Sequence, residues 1–287
     1  MTINGDRGDV TARGRRGAAT PVPDVPPTGR RFGEEGGLLT YGGYLRLDEL
    51  LAQQVPQADP PAHDELLFIT VHQVYELWFR QALYELEAAR DAMMTGETWR
   101  ARHLLRRVHV IERLLIVQVD ILETMTPQDF LEFRSLLTPA SGFQSAQFRE
   151  VEFLSGLKQP GYLRDLAASP DELERLARRL EEPTVWEGFV ALLERRGLAM
   201  PEDDEEARRA SLLRMARDAE HASLFAVAER LVDHDEGFAQ WRYHHVLMVE
   251  REIGAKSGTG GSSGVEYLRS TLSKRFFPEL WGLRSHL

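Results

Sequence analysis

Two stretches near the C-terminus have residue types and spacing suited to chemistry: Trp241-Arg242-Tyr243-His244-His245 and, beyond Glu250-Arg251, the run Ser257-Gly258-Thr259-Gly260-Gly261-Ser262-Ser263-Gly264. At 3.6 residues per turn, His245 shares a stripe with Phe238, Trp241 and Met248, whereas His244 aligns with Gly237, Gln240 and Arg251. His245 therefore faces inward and His244 outward. An inward neutral imidazole is either a core histidine with a hydrogen-bonded nitrogen or a proximal ligand of the kind that holds haem iron. If it is a ligand, an acidic partner is expected on its other nitrogen. The glycine run lacks a Gly-Lys-Ser/Thr ending, its glycines miss the G-x-G-x-x-G spacing, and it follows a helical pattern, so a nucleotide loop is a poor reading. Its backbone N–H groups and the Thr259 hydroxyl suit an anion-binding concavity. The other reading is a flexible linker before Tyr267.

Two earlier segments repeat one spacing. In Leu66-Leu67-Phe68-Ile69-Thr70-Val71-His72, Phe68 and His72 are i and i+4, so an apolar ring and a polar ring project from one face, suited to a planar aromatic ligand. In the alternative, Phe68 is core and His72 pairs with Glu76. A helix from Pro127 to Leu137 places Phe130 and Arg134 on one face, and a guanidinium beside aromatic rings suits bidentate capture of a carboxylate. An arginine paired with a nearby acid fits that spacing equally. The following Pro139-Ala140-Ser141-Gly142-Phe143-Gln144-Ser145 is too apolar for a routine exposed loop.

The elements that must position these residues read as helices. Periodicity predicts them at about His63 to Met94, Trp99 to Glu123, Asp171 to Leu180, Val185 to Arg196, Glu205 to Val232 and Asp235 to Gly254, with no pair of alternating strands. Ser169-Pro170 is a helix start, Asp203 or Asp204 a candidate cap, and Thr126-Pro127, Thr138-Pro139 and Gln159-Pro160-Gly161 are breaks. The expected fold is an all-α helical bundle over 37–287, with a small helical insertion or cover at about 160–205. Residues 1–36, rich in Gly, Pro and Arg, read as a disordered tail.

With 287 residues, 43% hydrophobic, the chain can bury a sizeable core. A net charge of -10 argues against a nucleic-acid partner. No apolar run approaches a membrane span, and Arg15-Arg16 leads into no export signal, so the expected location is the cytoplasm. Zero cysteines remove disulfides, thiolate zinc and iron–sulfur centres. No Glu-x-x-His or His-Glu-x-x-His occurs, which removes the di-iron bundle and zincin readings and leaves haem as the metal expectation.

From about Leu39 to Leu280 the chain resembles the tryptophan 2,3-dioxygenase family. The resemblance rests on five blocks in order: Tyr41-Gly42-Gly43-Tyr44-Leu45; His63-Asp64-Glu65-Leu66-Leu67-Phe68-Ile69; Phe133-Arg134 with the 139–145 run; Trp241 to His245; and Gly258 to Gly264. It implies a homotetrameric haem b enzyme that inserts both atoms of O₂ across the indole C2–C3 bond of L-tryptophan to give N-formyl-L-kynurenine, the opening step of the kynurenine pathway. It further implies His245 as axial iron ligand, His72 against the indole N–H, Phe68 as aromatic wall and Arg134 on the carboxylate. Phe130 falls where members carry Phe or Tyr, Thr259 on the amino-acid group, Ser141 near the distal pocket, and Tyr41 and Tyr44 on a segment reaching a neighbouring subunit's site. Three other readings share the pattern: an oxygenase, transferring one atom or two, on a substituted tryptophan; a non-catalytic haem sensor; and an all-α interaction protein without cofactor.

Overall fold

The computed structural model describes residues 38–165, 169–261 and 263–287. The expected tail, 1–36, and Ser262 of the glycine run lie outside the described residues. The chain divides into two compact units, residues 1–53 and 54–287. In the first, two five-residue helices, α1 (Tyr41–Leu45) and α2 (Leu47–Leu51), meet at Arg46, which is left-handed with φ 53°. The Thr40 hydroxyl caps α1 by accepting the Gly43 N–H.

The second unit comprises α3 (His63–Thr95), α4 (Thr98–Leu122), α5 (Pro127–Phe133), α6 (Ala146–Ser155), α7 (Tyr162–Asp165), α8 (Pro170–Glu181), α9 (Val185–Glu194), α10 (Glu205–Arg217), α11 (Ala222–Ile253), α12 (Val265–Ser270) and α13 (Pro278–Leu283). Among the described residues there is no strand, as the periodicity implied, and no helix is long and apolar enough to cross a membrane. The start signals act as read: Ser169 and Glu172 form a capping box with Pro170 at the first turn, and Asp204 is the residue that caps α10.

α3 and α4 form a hairpin because Gly96, at φ 87°, ends α3 and turns the chain within a few residues. α4 packs against both α3 and α11, burying Leu104, Leu105, Val108 and, farther along, Leu115 and Val119 at helical spacing. In the 160–205 segment, α8 lies on α6, while α9 inserts Phe189, Leu192 and Leu193 fully into the main core beside α3. Truncating any of these would cost about 2–5 kcal/mol, so this segment is an integral cover.

The expected break near residues 233–234 does not occur. α11 is continuous from Ala222 to Ile253, and the chain bends earlier, at Asp218 to His221, where Asp218 is extended and a 3-10 turn follows. Asp233-His234-Asp235 looks like a helix boundary because these side chains compete for backbone groups. Here tertiary partners absorb them. Fully buried His234 contacts Glu112 Oε1 through Nδ1 at 2.5 Å and Ser155 Oγ through Nε2 at 2.8 Å. Asp235 Oδ2 accepts the N–H groups of Phe276 (2.9 Å) and Phe277 (3.0 Å) and the indole N–H of Trp281 (3.0 Å). Burial pushes the Glu112 carboxyl upward while the adjacent His234 opposes the shift. This polar cluster ties α4, α6 and the C-terminal segment to the helix that carries His245.

Candidate active site

The predicted ring pair on α3 forms: the Phe68 and His72 centroids lie 4.0 Å apart. Phe68 also stacks on Phe130 of α5 at 5.7 Å and meets Phe133 at 5.5 Å, making an aromatic wall from two helices. His72 does not pair with Glu76. Its Nδ1 lies 2.7 Å from the Phe68 carbonyl, whereas Glu76 accepts from Gln147 at 2.8 Å. A carbonyl only accepts, so Nδ1 carries the proton and Nε2 of the neutral ring is left as an acceptor. Burial pushes the His72 pKa down, with the Phe68 carbonyl and Glu76 opposing, which favours that neutral form.

On α11, His245 faces the same cavity and stacks on Trp241 at 5.0 Å with the rings 8° from parallel. Desolvation first, and then the nearness of His72, which disfavours a second proton in the cavity, lowers its pKa to about 4, so the ring is neutral and its lone pair is free for a Lewis acid. The acidic partner expected on its other nitrogen is absent among the described residues. The flat indole of Trp241 fills that role's place by fixing the ring through stacking.

The predicted helix from Pro127 to Leu137 is shorter than expected. α5 ends at Phe133, and a 3-10 turn covers Arg134–Leu137, yet the Arg134 N–H still bonds the Phe130 carbonyl, which keeps the i, i+4 relation. The Arg134 Nη2 donates to the Ser257 carbonyl at 2.6 Å, and the Thr259 hydroxyl donates to the Ala140 carbonyl at 2.6 Å. The glycine run therefore leans on the 139–145 loop and is no free linker. At Gly260 an added Cβ would lie 2.6 Å from the Ser141 Cβ, so a side chain there would force the two loops apart.

Phe68, His72, Phe130, Arg134, Ser141, Thr259 and His245 all line one cavity of about 270 Å³. Tyr41 and Tyr44 are exposed on α1 of the first unit, and the lining comes entirely from the second. Sequence reasoning missed Arg149, Glu152, Arg242 and Glu252 in the same wall. Both Glu252 carboxylate oxygens are buried without partners, and burial raises its pKa. The first three form an ion network in which Arg149 and Glu152 are an i, i+3 pair on α6 and Arg242 joins them from α11, a link that no local spacing signals.

The donor set fits a planar iron macrocycle better than a bare metal ion. Zinc needs three or four protein ligands, but among the described residues the one cluster of three ligating side chains is Asp218, Glu220 and His221, outside this cavity. Within the cavity, a neutral imidazole without a hydrogen-bond partner stands over a broad, largely aromatic space, the arrangement a proximal haem ligand needs.

A family model described as tryptophan 2,3-dioxygenase matches residues 26–204 and 203–287. The tryptophan 2,3-dioxygenase of a Nocardioides species is 60% identical over 262 residues, spanning 89% of this chain and 97% of that protein. Its counterpart from Herpetosiphon aurantiacus is 48% identical over 259 residues, spanning 87% and 98%. That of Anaeromyxobacter dehalogenans is 46% identical over 259 residues, spanning 87% and 96%.

Proposed function

The chain belongs to the tryptophan 2,3-dioxygenase family, and from that premise we propose that it is a haem-dependent enzyme that opens the indole C2–C3 bond of L-tryptophan with O₂ to give N-formyl-L-kynurenine, the first step of tryptophan catabolism. The observation that carries the reading is the convergence of His245, His72 and Arg134, from three separated elements, on one aromatic-walled cavity. The test is anaerobic reduction of the purified protein, addition of L-tryptophan and air, and identification of N-formylkynurenine by mass. Accumulation supports the reading, and a product one oxygen heavier than the substrate supports the monooxygenase alternative.

His245 is the proposed axial ligand. Haem, when bound there, would supply the redox chemistry toward O₂, while the protein supplies position and dryness. Haem b is the proposed form, because a chain without cysteine has no thiol for covalent haem attachment. Arg134 offers a planar fork to the substrate carboxylate by exchanging its bond to the Ser257 carbonyl. Thr259 and Ser141 sit where the two loops meet and contribute hydroxyls to the amino-acid end. Phe68 and Phe130 hold the indole flat, and the unprotonated Nε2 of His72 accepts its N–H. For Tyr41 and Tyr44, a substrate role rests on the family resemblance.

The His72 assignment carries a pH dependence. Protonation at Nε2 turns the acceptor into a donor, so activity falls as pH drops through the His72 pKa, which burial places below the ordinary histidine value. We expect kcat/KM to hold down to mildly acidic pH and then fall, and this limb to vanish in His72→Ser against a lower plateau. A limb that persists in the variant would assign the titration elsewhere.

A homotetramer is the proposed assembly. On α4, Val110, Leu114, Val117 and Ile121 form one exposed apolar stripe, with Val110 56% and Val117 57% exposed. Four such residues at i, i+4, i+7 and i+11 suit burial against another helix. The double variant Val117→Asp with Ile121→Asp should reduce the particle mass seen by sedimentation. An unchanged mass removes this stripe from the interface.

A further inference from the structure

We propose that Arg149 and Arg242 form a second carboxylate-binding corner of the cavity, distinct from Arg134, that takes a propionate of the haem. This inference rests on the haem reading above. Both arginines line the cavity and are almost fully buried, at 4% and 3% exposed. They share one anion. Glu152, itself buried, accepts from Arg149 Nη1 at 2.7 Å on one oxygen and from Arg242 Nη2 at 2.8 Å on the other. The Lys274 carbonyl accepts from Arg242 Nη1 at 3.4 Å, which braces that guanidinium from the C-terminal segment.

Two guanidiniums thus share one carboxylate, an excess of one positive charge in a desolvated corner. Such an excess is unfavourable unless an anion completes it. The Arg149 Nε is buried with no acceptor, so at least one donor awaits a partner. The guanidiniums are also held in place beforehand. Arg149 lies over Tyr162 at 4.2 Å, Phe143 at 4.8 Å and Phe148 at 5.1 Å, and Arg242 lies over Phe238 at 4.9 Å and Phe276 at 5.4 Å. Flat cations fixed between rings retain their fork for a carboxylate.

An amino-acid substrate brings a single carboxylate, for which Arg134 stands ready at the meeting of the two loops. Haem brings further carboxylates, one of which matches the excess charge. Arg242 precedes His245 by three residues and so lies beside it on α11, within one turn of the iron ligand.

The test is the rate at which ferric haem leaves the full-length holoprotein for a large excess of apomyoglobin, followed by visible absorbance. It is run with haem and with its dimethyl ester, in the unaltered protein and in Arg149→Gln, Arg242→Gln and Arg134→Gln. We expect the ester to leave the unaltered protein about 10-fold faster than haem, the size of one lost charge-assisted hydrogen bond. In Arg242→Gln or Arg149→Gln, haem itself should leave about 10-fold faster, with esterification adding little, whereas Arg134→Gln should keep the full ester effect. Equal loss of haem and ester from the unaltered protein overturns the corner, as does a full ester effect surviving in both Arg149→Gln and Arg242→Gln. If either buried variant fails to fold, the ester comparison in the unaltered protein still decides. Failure of the unaltered protein to take up haem at all would sink the haem reading itself, an outcome distinct from bound haem that is indifferent to esterification.

Discussion

Replacing His245 with Ala should leave the full-length protein without stably bound haem and lower L-tryptophan turnover by at least about 1000-fold, or roughly 4 kcal/mol of transition-state stabilisation. The ring is the one histidine on the α11 face of the cavity, neutral, clamped by Trp241 and free of hydrogen bonds, so nothing nearby can replace it as a donor. Exogenous imidazole should restore part of the haem spectrum to the variant by entering the vacated space. The haem-free protein offers an independent readout. The folded pKa of His245, about 4, lies below the ordinary value of about 6.5, so the unfolded chain binds the extra proton and stability falls as pH drops through that window. The loss should approach about 3 kcal/mol by pH 4 and be missing from the Ala variant. Full haem retention by the variant, with an unchanged spectrum, would contradict the ligand assignment.

Arg134→Met should raise the KM for L-tryptophan about 100-fold while changing kcat much less, because a carboxylate remote from the reacting ring contributes mostly uniform binding. Arg134→Lys should recover only a fraction, since an ammonium lacks the planar fork. Tryptamine separates two causes. It has no carboxylate, so the unaltered protein and Arg134→Met should handle it about equally if Arg134 acts on that group. If tryptamine turnover falls as far as tryptophan turnover, Arg134 instead acts by holding the glycine run through the Ser257 carbonyl. A KM for tryptophan unchanged in Arg134→Met would remove the residue from the binding site.

What could be read in the residues beforehand is what lies on one helix. The inward stripe of His245 and the i, i+4 pairing of Phe68 with His72 follow from the 3.6-residue period, and both project into the cavity as that period requires. Phe130 and Arg134 kept their relation even though the helix tightens at Arg134. Periodicity failed where tertiary partners outweigh local preference. Asp233-His234-Asp235 signals a boundary, but Glu112 and Ser155 engage His234, the C-terminal backbone engages Asp235 Oδ2, and Arg230 on the same helix pairs with Asp233, so the helix runs on. The tautomer of His72 was likewise illegible, because its choice of the Phe68 carbonyl over Glu76 depends on Gln147, which comes from α6 to engage the acid. Within the Arg149–Glu152–Arg242 network, Glu152 and Arg242 lie 90 positions apart, and no window of sequence reveals such a pairing.

If both atoms of one O₂ enter the indole of L-tryptophan at the cavity shared by His245, His72 and Arg134, turnover by the reduced protein under a mixture of ¹⁶O₂ and ¹⁸O₂, with mass analysis of the product, reads this directly. The expected product is N-formylkynurenine carrying two ¹⁶O or two ¹⁸O atoms from gas, with few mixed molecules. A product with a single gas-derived oxygen, or none, would contradict it.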